Sequence, residues 1–432
     1  MSQELTRRGF VKAGAAVAAL TAMSNRRVHG ANERIRVAFF GVGNRGGQLI
    51  DAALPNEDME IAALCDVYRP YLEKWKAKLG GAPSIHKDFR EILDRADIDA
   101  VFVATPDHWH AIQAVMACDA GKHVYVEKPL SLTVFEGRKM VEAARRNNRV
   151  VQVGVQRRAS AMHRDLGEFV RGGGIGKVTI ASAHRLNNMA PDGIGKLKDS
   201  APPAELDWDL WLGPRAERPF RENIAPYKFR WWQDYSSQLG NWGVHYFDTI
   251  RWLLGEEAPV SVSAHGGKFA VDDDRTIPDT LHATYEFASG RLLLFSQFEA
   301  SGVPIFPHGA EIELRGTNGI VYAGQDEYRL IAEEGGQFQD PAPRLESKHA
   351  KSTDGDLTRQ HIRNFLDCVK SGDRPAADVE DGHRSTTFAH LGNIALATRS
   401  RIEWDPKAER ITNNESANAL LHYAYRNPWT LG

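Results

Sequence analysis

Apolar and polar positions follow two different rhythms along this chain. In the first third, short unbroken apolar runs recur: Ile35-Arg36-Val37-Ala38-Phe39-Phe40, Glu60-Ile61-Ala62-Ala63-Leu64-Cys65, Ala100–Thr105, His123–Val126 and Val150–Val155. Runs of this length without alternation fit strands buried on both faces, as in a parallel sheet. Between them lie stretches with helical spacing, at Asp88–Ala96, Ile112–Ala120 (closed by Gly121) and Val134–Asn147. Repeated βα units predict a doubly wound α/β domain of the Rossmann type over residues 32–155.

After Arg158 the texture changes. A helix is expected over Ala161–Arg171, then a strand at Val178–His184 and a long irregular stretch, Arg185–Leu239. Strands separated by Gly, Asp and Pro follow at Val260–His265, Thr280–Phe287, Arg291–Phe298, Ala310–Arg315 and Ile320–Ala323. Alternation in these runs and the short turn Ser289-Gly290 point to a mainly antiparallel sheet. Helices are expected at Leu357–Ser371 and Val379–Thr398. Residues 156–432 therefore read as an α+β domain with an open sheet.

The N-terminus has a third pattern. Thr6-Arg7-Arg8-Gly9-Phe10-Val11-Lys12 precedes an Ala-rich run from Ala13 to Met23, and small residues surround Gly30-Ala31. Such a run is too short to span a bilayer. Residues 1–31 instead read as a twin-arginine (Tat) export signal, a route that carries folded proteins, so a periplasmic or extracytoplasmic destination is expected with no membrane anchor after cleavage. Cleavage after Ala31 would remove five basic residues and one acid, taking the formal charge from −2 to −6. That mild acidity argues against nucleic acid as a partner. The three cysteines (Cys65, Cys118, Cys368) do not form a disulfide framework, and no metal site is expected: His108-Trp109-His110 is the one H-x-H.

In doubly wound sheets ligands bind at the carboxyl ends of the strands. The first such end carries Gly41-Val42-Gly43-Asn44-Arg45-Gly46, a G-x-G-x-x-G turn. Gly41 permits the tight turn, Gly43 leaves room for a pyrophosphate, and Gly46 lets the helix close on the strand. The helix N-terminus then offers free N–H groups to the phosphates. Asp66 ends the second strand, 20 residues after Gly46, where an acid would hold an adenosine ribose and disfavour a 2′-phosphate. NAD is thus the expected cofactor. The other strand ends add Thr105, Pro106, His110, Glu127, Lys128 and Gln156 to the cofactor side, and Arg157 and Arg158 to the substrate side.

Three residues are candidates for chemistry: Lys128, His245 and Asn241, the last able to orient a hydroxyl but not to carry charge. Lys128 closes a central strand between Glu127 and Pro129, where partial burial would lower its pKa. His245 lies in Gly240–Gly255, a segment whose Val244, Phe247, Ile250 and Leu254 form one apolar helical stripe. Asn241 is expected to cap that helix, with His245 in its first turn, where the dipole favours a neutral imidazole able to accept a hydroxyl proton. Six of the ten tryptophans fall between 208 and 252. Flat indoles suit sugar rings, and Trp232 and Trp242 are taken as substrate candidates, although most are expected to be packing anchors.

These residues together resemble the glucose–fructose oxidoreductase/inositol dehydrogenase (Gfo/Idh/MocA) family. The marks are the glycine turn, Asp66, Thr105-Pro106 with His110, the E-K-P signature Glu127-Lys128-Pro129, Asp207–Pro214 and Glu380–Ser385. The resemblance implies a lysine, here Lys128, between nicotinamide and substrate, and dimers or tetramers formed on the open sheet. The family's D-x-G-x-H motif falls on Asn241-Trp242-Gly243-Val244-His245, with asparagine in place of aspartate. The resemblance implies a small carbohydrate substrate and hydride transfer at a ring carbon, and export of the folded protein to a compartment with little free NAD leads us to expect that the cofactor stays bound. The alternatives are redox-neutral glycoside cleavage through C3 oxidation and elimination, as in NAD-dependent alpha-N-acetylgalactosaminidases of the family, and a non-catalytic sugar- or NAD-binding protein.

Overall fold

The computed structural model describes residues 34–431. The export segment, 1–31, lies outside the described residues.

Six parallel strands form the first sheet: β1 (Ile35–Phe40), β2 (Met59–Cys65), β3 (Ser84–His86), β4 (Ala100–Val103), β5 (His123–Val126) and β6 (Val151–Val153). Their order is β3-β2-β1-β4-β5-β6, so the switch point lies between β1 and β4. The strand interiors are buried on both faces, as the unbroken apolar runs require.

The second sheet is mixed. It contains β7 (Val178–Asn188), β8 (Pro259–Gly267), β9 (Thr280–Phe287), β10 (Leu292–Phe298), the two-residue β11 (Ala300–Ser301), β12 (Ile312–Gly316), β13 (Gly319–Ala323), β14 (Glu327–Ala332), β15 (Lys348–Lys351), β16 (Ile402–Asp405) and β17 (Arg410–Ile411). All its pairings are antiparallel except β7 with β10, which run parallel. The helix Val244–Leu254 presents Val244, Phe247 and Ile250 to the same core as Leu293 and Phe295 of β10.

Several expectations are corrected. The helix expected at Asp88–Ala96 is only Arg90–Leu93. That expected from Ile112 starts at Asp107. Its first turn is polar in sequence, yet Asp107, His108 and His110 are buried and bonded to protein. Strands β14 to β17 escaped notice, since the half-exposed strands among them carry no continuous apolar run.

The helix expected with Asn241 as its N-cap is preceded by a π turn, Leu239–Gly243, which contains Asn241. Asn241 therefore caps nothing, and the dipole argument for His245 lapses, because helical backbone continues behind it. The downstream end follows expectation: Gly255 takes the left-handed conformation, with φ of 70°.

Two C-terminal helices tie the sheets together. Leu357–Ser371 returns to the parallel sheet, where Phe365 meets Phe102 and Tyr125 edge-on at 5.5 and 5.8 Å. Val379–Thr398 packs on the helix Val134–Arg146, on Val244–Leu254 and on β8. Phe365 is fully buried, so Phe365→Ala is expected to destabilise the protein by about 3–5 kcal/mol. A lowered midpoint in denaturant unfolding checks this; an unchanged midpoint would show that the helix does not anchor the sheet.

Candidate active site

The residues singled out at the strand ends divide between two clefts. The first spans about 850 Å³, open solvent at its mouth included, and is lined by Gly41, Gly43, Asn44, Arg45, Asp66, Thr105 and Pro106. The second, of about 780 Å³ with its mouth likewise included, is lined by Arg45, Glu127, Lys128, Gln156, Arg157, Trp242 and His245. Arg45 borders both, and its Nε donates to buried Glu127 at 2.7 Å.

The first cleft fits a dinucleotide on several counts. Gly41 has φ of +79°, and a Cβ there would lie 2.7 Å from the carbonyl oxygen of Ala104. A Cβ on Gly46 would fall 1.8 Å from the oxygen of Gly41, so this glycine sits behind the turn rather than on the cleft wall. Asp66 accepts from the backbone N–H of Val42 at 2.8 Å and of Tyr68 at 2.9 Å. Burial raises its pKa to about 6, with these N–H groups holding it down, so it is mostly ionised at neutral pH. Thr105 donates to Gln113 at 2.7 Å. Arg45 and Gln156 line the second cleft, and Gln156 Oε1 is buried without a protein partner.

Lys128 and His245 share the second cleft although they come from different sheets' partners. Lys128 Nζ donates to the backbone oxygen of Asn241 at 2.5 Å and to its side-chain oxygen at 3.2 Å. Burial lowers the Lys128 pKa to about 8, opposed by Glu127 and Asp107. Burial also holds His245 well below its ordinary value, helped by the charges of Lys128, Arg157 and Arg45. The imidazole is thus neutral by desolvation, not by a helix dipole. Trp242 stands beside it, ring centroids 6.4 Å apart.

Three candidates are removed by their surroundings. His110 is buried with Nδ1 2.8 Å from the Pro129 oxygen and Nε2 2.9 Å from the Thr105 oxygen. It braces two strand ends instead of facing cofactor. Arg158 is spent on a buried ion pair with Asp248, at 2.9 Å, and lines neither cleft. Trp232 is in the core of the long connection, its Nε1 donating to the Asn223 oxygen at 2.7 Å. Trp208 and Trp211 stack there too, at 4.8 Å, so the cluster is mainly packing.

Other lining residues carried no local sign in the sequence. Glu311 and Gln325 reach the second cleft from the late strands' loops, and Phe229 and Arg230 reach the first from the irregular stretch. Tyr68 and Tyr71 follow Asp66 closely, and that proximity could have flagged them. Among the described residues no group of His, Cys, Asp or Glu is placed to hold a metal, and all three cysteines are buried and free.

A glycine-turn nucleotide cleft joined to a second cleft with a lysine and a neutral histidine defines a two-domain, dinucleotide-dependent oxidoreductase. The chain belongs to the Gfo/Idh/MocA oxidoreductase family: the family's NAD-binding Rossmann fold matches residues 35–155, and its C-terminal alpha/beta domain matches residues 171–431. Its cofactor is NAD. The chain is similar to myo-inositol 2-dehydrogenase of Thermotoga maritima, 24% identical over 372 residues that take in 85% of this chain and 98% of that protein. It is 34% identical to the alpha-N-acetylgalactosaminidase of Shewanella oneidensis, but over only 125 residues, 27% of each chain. Levoglucosan dehydrogenase in complex with NADH and levoglucosan superposes with a TM-score of 0.65 at 19% identity, covering 86% of this chain and 99% of that one. Aldose-aldose oxidoreductase from Caulobacter crescentus gives 0.61 at 20%, with the same coverage. At these identities the structural likeness speaks to fold.

Gly46→Ala is expected to force the turn apart and abolish NAD retention while leaving the second cleft intact. Nucleotide released on denaturing equal amounts of variant and parent measures this, and equal release would refute the packing role.

Proposed function

We propose that the protein is an NAD-dependent oxidoreductase of a sugar or glycoside, working at a ring carbinol carbon with its cofactor kept bound. The observation that carries this reading is the meeting of Lys128 and His245 in one cleft that adjoins the glycine turn through Arg45. NAD, when bound, supplies the hydride acceptor. His245, neutral through burial, takes the proton of the substrate hydroxyl. Lys128 is held as an ammonium by the two oxygens of Asn241, and a remaining N–H can donate to the substrate oxygen. Trp242 offers a flat face for the sugar ring. The twin-arginine segment supports export of a folded protein with NAD aboard, to a compartment where the cofactor must be regenerated in place.

Regeneration in place permits a second reading, favoured by the match to an alpha-N-acetylgalactosaminidase. With C3 oxidised by loss of hydride to bound NAD, the carbonyl would acidify the C2 proton, the aglycone would be eliminated, water would add, and the same hydride would be returned to C3. His245 or Lys128 would move the C2 proton. This route lies outside the two-carboxylate scheme of most glycosidases.

The pH dependence follows from the two groups. His245 stays neutral throughout, so kcat/KM is expected to show no limb near the ordinary histidine range. Lys128 must keep its proton, so kcat/KM should fall as pH rises through about 8. A profile that climbs through that pH would make Lys128 the base instead. Lys128→Met should lower kcat by about 10²–10⁴-fold with NAD still released on denaturation; parent-like rates would remove it from the mechanism. In deuterated water, incorporation at C2 of a recovered sugar marks the elimination route, and unlabelled sugar marks simple oxidoreduction.

A further inference from the structure

The two guanidinium groups that line the second cleft, Arg45 and Arg157, are paired with its carboxylates Glu127 and Glu311, and a third, Arg185, lies over the lining residue Trp242 at the cleft's border. Arg157 is 8% exposed and pairs with Glu311, yet its Nη1 is buried without a partner. Arg185 forms no ion pair among the described residues, and its Nε is likewise buried and unpartnered. The alternation of β7 puts Arg185 on the same face as Ala181 and Ala183, which are fully buried in the core shared with Val244 and Phe247. Arg185 thus projects on the side of the sheet that carries His245. Its guanidinium carbon lies over the Trp242 ring, 3.6 Å from the centroid, a cation–π contact.

The carboxylates that could answer Arg185 are engaged elsewhere. Glu299 is held by Arg275 and accepts from Trp231 Nε1 at 3.1 Å. Glu311 is held by Arg157. A buried donor without an acceptor is unfavourable, and the planar fork of arginine matches a carboxylate in two parallel hydrogen bonds. A neutral sugar could offer hydroxyls but no compensating charge.

We propose that the substrate is a sugar bearing an anionic group, the carboxylate of a uronic acid, held by Arg185 with Arg157 while Lys128 and His245 act on a ring hydroxyl. The inference rests on the reading of this cleft as the sugar site.

The test is binding to the NAD-loaded protein, read by calorimetry and by tryptophan fluorescence. Methyl glycosides of D-glucuronate and D-galacturonate are compared with those of D-glucose and D-galactose, and with hexose phosphates. Uronates are expected to bind about tenfold tighter than their neutral counterparts, the value of one charge-assisted contact, with the margin shrinking as salt is raised. Arg185→Met should lose about that tenfold for uronates, and Arg185→Lys should recover part of it, with equal NAD release from all three proteins as the check on folding. Neutral sugars binding as tightly as uronates, or uronate affinity unchanged in Arg185→Met, overturns the proposal. Hexose phosphates binding tighter than uronates overturns the carboxylate assignment. Turnover of neutral glycosides without uronate preference overturns this inference and leaves the oxidoreductase reading standing. A protein that binds and oxidises no sugar of either kind overturns both.

Discussion

Lys128 leaves the end of β5 and spans the boundary between the two sheets, where the two oxygens of Asn241 accept its protons at 2.5 and 3.2 Å. An ammonium taken out of water is unfavourable unless something answers it. Here its direct hydrogen-bond partner is neutral, and Glu127 and Asp107 supply the opposing charge. The Gfo/Idh/MocA pattern has an aspartate at position 241, and a carboxylate would stabilise the ammonium and raise its pKa. Asparagine supplies acceptors without charge, so burial prevails and the pKa settles at about 8. The replacement therefore keeps Lys128 in place while making its proton easier to give. It also leaves residue 241 adding no negative charge beside His245.

That contact works only if Asn241 is presented correctly, and this depends on how the segment is held. The π turn Leu239–Gly243 displaces Asn241 from an ordinary cap position; such turns recur at functional sites. Behind it, the helix Val244–Leu254 is fixed by buried polar contacts. Asp248 pairs with Arg158 at 2.9 Å and accepts from Ser385 at 2.7 Å, and Arg251 pairs with Asp381 at 3.0 Å. Ser385 and Asp381 belong to the helix Val379–Thr398, which also packs on the nucleotide-binding half. Polar contacts of this kind contribute modestly to stability but tolerate few alternative registers. They set the rotation of the helix that carries His245, and through it the position of Asn241 relative to Lys128.

The parts of this arrangement legible in the sequence were those written locally. Continuous apolar runs marked β1, β2, β4, β5 and β6, and the glycine spacing with Asp66 located the nucleotide cleft, because each glycine answers a steric demand within a few residues of itself. The places of Lys128 and His245 were legible for a similar reason, one at a strand end and one in a helix marked by an apolar stripe. His110, Arg158 and Trp232 misled because a polar or aromatic side chain near a strand end looks the same in sequence whether it faces a ligand or a carbonyl, an aspartate or a packed loop. Glu311, Gln325 and Arg185 were not legible as site residues at all. Arg185 lies in β7, and Glu311 and Gln325 lie in loops beside β12 and β13, so their placement follows from strand pairing across the sheet, which is set by tertiary contacts.

The electrostatics of the second cleft suit its proposed substrate in a further way. Lys128, Arg157 and Arg45 all depress the proton affinity of His245, which keeps the imidazole free but also makes it a weak base. An anionic sugar entering beside Arg157 and Arg185 would offset part of that positive field. The proton affinity of His245 would then rise only when substrate is present, which is when a proton must be taken. The same added negative charge would favour the protonated form of Lys128, keeping a donor on the substrate oxygen. A neutral sugar would bring neither effect. The guanidinium groups thus have two consequences, recognition of the acid and delayed activation of the base, and both depend on Asn241 adding no charge of its own.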